Sequence, residues 1–98
     1  MEINKIIDNN KCKVALSGRL DTLTSPQLEE VLKEIPEDVN DLVLDLKDLE
    51  YVSSAGLRVF LNTQKSMMGK GKMTLTNVRD EIMEVLNMTG FTQILTIE

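Results

Sequence analysis

The segment from Asp41 to Leu61 constrains the fold of this chain most, because a strand pattern in it passes directly into a helix pattern. Its sequence is DLVLDLKDLEYVSSAGLRVFL. Residues 42–46 are almost continuously apolar, which is typical of a central strand covered on both faces. A helical spacing of Leu57, Phe60 and Leu61 begins soon afterwards. The segment therefore predicts a buried strand, a short loop that crosses the end of the sheet, and a helix.

Two adjacent hydroxyl side chains, Ser53 and Ser54, fall at the start of this predicted helix. One interpretation is structural: a serine caps the helix, and its oxygen accepts a hydrogen bond from a backbone N–H that has no partner within the helix. The other is that one hydroxyl is phosphorylated, since free N–H groups and the positive helix end stabilise a phosphate. The two interpretations are compatible, because one serine can cap while the other stays exposed.

The remaining apolar patterns predict two strands and a helix before this segment, and further helices and strands in alternation after its strand. A hairpin is expected first, with a strand around residues 3–7 and its partner at Lys11 to Gly18, followed by a loop from Gly18 to Leu23. Thr24-Ser25-Pro26 predicts a helix start, with a capping box between Thr24 and Gln27. The later elements are a helix at about 55–68, a strand at 73–75, a helix at about 79–88 and a short strand or docked tail at 94–97.

The predicted order is β-β-α-β-α-β-α, with or without a terminal β, which gives an α/β fold with a mixed sheet of four to five strands and three helices. If the strands at 11–18 and 42–46 run parallel, the loops that follow them meet at one carboxyl edge, where open α/β sheets bind ligands. Asp21 and Asp45 are then expected near Ser54. Each aspartate also has a structural interpretation, as the cap of a turn or the acceptor of backbone N–H groups at a strand end.

Composition restricts the function classes that are open to the chain. Its 98 residues are 42% apolar and 28% charged, which is typical of one globular domain and predicts no membrane span. The net charge of -5 and the lack of a basic cluster argue against nucleic-acid binding and favour a protein partner. No secretory leader is recognisable at the start, so a cytoplasmic location is expected.

The commonest general base and the usual partner of a serine nucleophile, histidine, is missing. The chain has no histidine, and its single cysteine, Cys12, alternates with Val14 and Leu16 as a buried strand residue does. Without histidine or a free nucleophilic thiol, no nucleophile and base pair can be assembled. An acid and base pair or a Mg²⁺ site made of Asp21 and Asp45 has no further support. We therefore expect no enzymatic activity, no catalytic residues, no metal site and no cofactor.

Three motifs carry a resemblance to a known family. The run DLKDLEYVSSAGLRVFL from Asp45 to Leu61 resembles the signature of STAS domains, the anti-sigma factor antagonist family, in which a strand ending in Asp-Leu leads to a serine loop, Gly-Leu and a helix. Gly18-Arg19-Leu20-Asp21 resembles the earlier Gly-x-Leu-Asp segment of that family, and Met88-Thr89-Gly90-Phe91 its late Met-x-Gly segment. The resemblance implies one STAS domain over residues 1–98.

The resemblance also implies a function and a set of site residues. It puts a phosphorylated serine at Ser54, two residues before Gly56, with Ser53 as the alternative acceptor because Ser53 replaces the aspartate of many antagonists. It implies that the unphosphorylated chain captures an anti-sigma factor or related serine kinase, which frees the sigma factor held there and so regulates transcription. A PP2C-type phosphatase would reverse the modification, and any Mg²⁺ and ATP would belong to the kinase. The implied partner surface consists of Asp21, Asp45, Ser53, Ser54, Leu57 and Arg58.

Leu57 and Arg58 are expected to differ in exposure, and the resemblance allows a second function. Arg58 is expected to be more exposed than Leu57, because Leu57 also fits the apolar stripe of its helix. The alternative function is that of a regulatory or scaffold STAS domain that binds a small ligand or a signalling complex without being phosphorylated.

Overall fold

A five-stranded mixed sheet with three α-helices forms the architecture in the computed structural model, which describes residues 1–98. The strands are β1 (Glu2–Asp8), β2 (Lys11–Leu20), β3 (Asp41–Val52), β4 (Lys72–Thr76) and β5 (Thr96–Ile97). The helices are α1 (Ser25–Lys33), α2 (Ser54–Met67) and α3 (Asp80–Met88), and a short 3₁₀ turn spans Phe91–Gln93. The predicted fold class and element order, with its terminal strand, are confirmed.

The strands lie side by side in the order of the sequence, β1-β2-β3-β4-β5. β1 and β2 form the predicted antiparallel hairpin, and its turn contains Asn9 with a positive φ of 56°, a conformation that asparagine tolerates. β2, β3, β4 and β5 pair in parallel. Because the three helical crossovers step in one direction and such connections are right-handed, α1, α2 and α3 all lie on the same face of the sheet.

The core lies between that face and the helices, and burial along β3 shows it directly. Leu42, Leu44 and Leu46 are each at most 1% exposed, whereas Val43 and Asp45 are half-buried. The prediction that β3 is covered on both faces is therefore wrong. β3 is central, but only one of its faces is packed against helices, and its short apolar run did not distinguish the two situations.

β2 and β3 extend beyond their predicted ends. β2 runs to Leu20 and β3 to Val52, so residues 18–20 and 49–52, which were predicted as loops, are paired strand. The pairing shifts register twice, and each shift places one extra residue on β3. The buried positions on β3 therefore change from a spacing of two to a spacing of three, at Leu46, Leu49 and Val52. That irregular spacing hides the second half of the strand from a search for period-two alternation.

A substitution on each face of β3 tests this one-sided burial. We expect Leu44→Asp to lower the free energy of unfolding by more than about 3 kcal/mol, because it places an unpaired charge in the core. Val43→Asp should cost less than half as much, since Val43 is half-buried on the other face and is paired in register with Lys13. Urea denaturation measures both values, and equal losses would contradict the assignment of faces.

Candidate functional site

The carboxyl ends of β2 and β3 meet and bring two short segments together. The backbone N–H of Ser53 donates to the carbonyl oxygen of Leu20 at 2.8 Å, which ties the end of β3 to the end of β2. α1 and α2 both begin at this edge. We call the region formed by residues 19–25 and 51–58 the carboxyl-edge site.

The two serines of this site have different roles. Ser53 is the N-cap of α2: its backbone is extended, at φ -94° and ψ 175°, and its Oγ accepts a hydrogen bond from the N–H of Gly56 at 3.4 Å. Ser54 is the first residue of the helix and is exposed. The sequence left open which serine caps, and the structure gives the cap to Ser53 and leaves Ser54 exposed. The first turn of α2 contains no acidic residue, so its positive end carries no neutralising charge.

Gly56 allows this turn to lie directly on the sheet. A Cβ atom at Gly56 would lie 2.7 Å from the Leu20 side chain and 2.9 Å from a methyl group of Val52. These separations are too short for any side chain to be accommodated without movement of the neighbours. The position of Ser53 and Ser54 therefore depends on the hydrogen that glycine has in place of a side chain.

Asp21 lies in the carboxyl-edge site, but its carboxylate is engaged in the turn that follows β2. Asp21 Oδ1 accepts hydrogen bonds from the N–H groups of Leu23 and Thr24, both at 3.0 Å. The Thr24 N–H is the main cause that lowers the pKa of Asp21; burial opposes it, and the Thr24 hydroxyl, the Leu23 N–H and Arg19 lower the pKa further. The structural interpretation of Asp21 as the cap of a turn is confirmed.

The predicted capping box at the start of α1 is absent. Thr24 occupies the N-cap position but makes no side-chain capping bond to the helix. Its Oγ1 instead donates to the carbonyl oxygen of Arg19 at 2.7 Å and accepts from the N–H of Asp21 at 2.8 Å. The capping-box prediction is wrong because the same hydroxyl closes the preceding turn.

Asp45 does not lie near Ser54, and that expectation is wrong. β3 continues from Asp45 to Val52, which separates the aspartate from the carboxyl-edge site by roughly 20 Å along the strand. Its Oδ1 accepts from the Asn77 amide and the Lys47 N–H, both at 3.1 Å, and its Oδ2 lies 3.5 Å from Lys13 Nζ. Burial raises the pKa of Asp45, but these three interactions outweigh it, and the pKa lies below its ordinary value.

Leu57 and Arg58 point in different directions. Leu57 is 5% exposed and belongs to the core, so its predicted place in an exposed partner surface is wrong. Arg58 is exposed and follows Ser54 by four residues, which puts the two side chains on the same helix face. The prediction that Arg58 is the more exposed of the pair is confirmed.

Three residues of the site, Leu23, Arg19 and Tyr51, were not predicted from the sequence. Leu23 is 86% exposed, and the only signal for it is an apolar residue inside the polar run Asp-Thr-Leu-Thr-Ser. The Arg19 guanidinium lies over the Tyr51 ring, 4.2 Å from its centroid. This stack could not be predicted because it depends on the shifted register that pairs Arg19 with Tyr51.

Two concave surfaces lie along α1 and α2. A shallow groove at the carboxyl-edge site is lined by Thr22, Ser25, Pro26, Glu29, Ala55, Arg58 and Val59. A larger cavity of about 460 Å³ lies farther along the same two helices, and Leu32, Leu42 and Met67 contribute to its lining.

No group of three or more acidic, cysteine or histidine side chains is arranged to hold a metal ion. None of the helices is long and apolar enough to cross a membrane.

Comparison with known proteins identifies the family. Residues 2–98 match the STAS domain, and the chain belongs to the STAS domain family. It is 32% identical over 100 residues to the anti-sigma-B factor antagonist of Bacillus subtilis, with 99% of this chain and 92% of that protein covered. It is 31% identical over 87 residues to the anti-sigma-B factor antagonist of Staphylococcus aureus, with 87% and 81% covered. The resemblance inferred from the three motifs is confirmed.

Solved structures show the same fold. An anti-sigma factor antagonist from Mycobacterium paratuberculosis superposes with a TM-score of 0.86 at 20% identity, over 98% of this chain and 83% of that chain. The Bacillus cell fate determinant SpoIIAA, solved in its phosphorylated form, gives a TM-score of 0.76 at 15% identity, over 99% and 91%.

The difference between the two serines leads to a stability prediction. We expect Ser53→Ala to lower the free energy of unfolding by about 0.5 to 2 kcal/mol, because it removes the cap of α2. Ser54→Ala should change it by no more than about 0.5 kcal/mol, since the side chain is exposed and does not cap. Chemical denaturation of the two variants provides the measurement, and a larger loss for Ser54→Ala would mean that the caps are assigned the wrong way round.

Proposed function

We propose that the chain is an anti-sigma factor antagonist and that phosphorylation of Ser54 controls its capture of the anti-sigma factor. Relatives that are 32% and 31% identical are named anti-sigma-B factor antagonists, which supports the first part. The observation that carries the second part is that Ser54 is exposed at the start of α2 while Ser53 supplies the cap. A kinase can therefore reach Ser54 without removing a group that holds the helix.

In this proposal the chain works as a binding switch. The unphosphorylated form captures an anti-sigma factor with serine kinase activity and so releases a sigma factor for transcription. The kinase phosphorylates Ser54 and ends the capture, and a PP2C-type phosphatase restores it. Residues 1–98 act as one STAS domain in the cytoplasm, with no enzymatic activity and no cofactor of their own.

The physical basis of the switch is a change of charge that the fold tolerates. A phosphoserine adds about -1.5 to -2 charges. At the first position of α2 the new charge meets the positive helix end, early N–H groups that lack helical partners, and Arg58 on the same face. The domain stays folded, whereas a partner that closes over this surface now meets a bulky anion.

Substitutions at Ser54 test the switch. We expect Ser54→Ala to bind the anti-sigma factor with the affinity of the parent and to take no phosphate from ATP. Ser54→Asp should unfold at the temperature of the parent, because a carboxylate is favourable near a helix N-terminus, yet bind at least about 10-fold more weakly, since a charge faces the partner. Calorimetric titration measures binding, and intact-mass spectrometry measures phosphate transfer.

Ser53→Ala is the matched control for these substitutions. It lowers stability by loss of the cap but keeps the acceptor, so it should still become phosphorylated and should still bind. Phosphate on Ser53, or a Ser54→Asp protein that binds as tightly as the parent, would contradict the proposed switch.

Arg58 provides a test of the surface around the serine. We expect Arg58→Ala to weaken binding of the anti-sigma factor several-fold, because Arg58 is exposed one turn beyond Ser54. Its melting temperature should match that of the parent, since the change is on the surface. Lys65→Ala is the control, because Lys65 is an exposed cation in the last turn of the same helix. Equal affinities for the parent and Arg58→Ala would remove Arg58 from the interface.

A second candidate function is supported by the cavity between α1 and α2. Its volume of about 460 Å³ lies in the range of small-molecule sites, which favours a regulatory STAS domain that binds a ligand without being phosphorylated. Native mass spectrometry of the protein from its own cells distinguishes the two functions. A phosphate-sized mass increase supports the switch, and a larger non-covalent adduct without phosphate supports the ligand-binding domain.

A further inference from the structure

A large apolar side chain, Leu23, projects into solvent from the carboxyl-edge site. At 86% it is the most exposed of the large hydrophobic residues. A lone exposed leucine is common on protein surfaces and by itself indicates no function. Two further observations distinguish Leu23: the turn that carries it is firmly held, and this turn adjoins Ser54.

The backbone on both sides of Leu23 is fixed by a compact set of hydrogen bonds. Asp21 Oδ1 accepts from the N–H groups of Leu23 and Thr24, and the Thr24 hydroxyl bridges Asp21 and Arg19. Ser25 Oγ donates to the Asp21 carbonyl oxygen at 2.6 Å. A leucine on an already ordered backbone loses little conformational freedom when a partner buries it, which favours tight binding.

The turn and the first turn of α2 form one continuous surface. Thr22 and Ser25, which flank the tip of the turn, line the same groove as Ala55 and Arg58. Tyr51, which is 40% exposed, also lies in the carboxyl-edge site, where its ring packs against the Arg19 guanidinium. The remaining exposed large apolar side chains lie outside this site. Met68, for example, is 70% exposed but follows the far end of α2, about 20 Å from Ser54 at 1.5 Å per helical residue.

We infer that Leu23 is the apolar anchor of the surface that captures the anti-sigma factor, and that this partner has a leucine-sized apolar pocket with an acidic group on its rim that faces Arg58. The inference rests on the proposed function and adds a description of the partner surface. It also accounts for the switch, because a phosphate on Ser54 would meet the same acidic rim and be repelled by it.

The test is calorimetric titration with the purified anti-sigma factor of the same organism. Leu23→Ala should bind roughly 10- to 100-fold more weakly, as expected for loss of one buried leucine side chain. Leu23→Met should bind within about 3-fold of the parent, because a side chain of similar volume and polarity fills the same pocket. Met68→Ala is the matched control and should bind as the parent does. All three variants should keep the parental melting temperature, since both positions are exposed.

The outcomes separate this inference from the proposed function. If Leu23→Ala binds as tightly as the parent while Ser54→Asp does not bind, the anchor is refuted and the switch remains. If Leu23→Ala weakens binding but Ser54→Asp does not, the anchor stands and the switch is refuted. If Met68→Ala weakens binding as much as Leu23→Ala, the anchor is refuted. Failure of the anti-sigma factor to bind the parent protein refutes both the anchor and the switch.

Discussion

The close packing of the first turn of α2 on the ends of β2 and β3 is the constraint on which the site depends. Gly56 permits this packing, because a Cβ atom there would lie 2.7 Å from the Leu20 side chain. The hydrogen bond from the Ser53 N–H to the Leu20 carbonyl oxygen fixes the same junction. Together they place Ser53 at the N-cap of α2 and leave the Ser54 side chain exposed.

The fold separates the carboxyl-edge site from the groups that stabilise the sheet. All three helices cover one face, and Asp45 organises part of the other through Lys13, Lys47 and Asn77. None of these contacts reaches the carboxyl-edge site, which lies farther along β3. A change of charge at Ser54 is therefore expected to leave the core and the open face of the sheet as they are.

Much of the fold was predictable, because apolar periodicity directly reflects which side of an element is buried. It gave the element order, the central strand and the junction at Ser53 and Ser54. It could not place Asp45, because two register shifts lengthen β3 without leaving a regular pattern. The exposure of Leu23 could not be predicted either. It depends on side-chain hydrogen bonds that shape its turn, and the spacing of residues in the sequence does not specify them.

Mapping of phosphorylated residues tests the division of roles between Ser53 and Ser54 most directly. The unaltered protein is isolated from its own cells in both signalling states and digested, and its peptides are sequenced by tandem mass spectrometry. We predict phosphate on Ser54 alone, because Ser53 is half-buried and its oxygen accepts the capping bond from Gly56. Phosphate on Ser53, or no phosphate in either state, would contradict it.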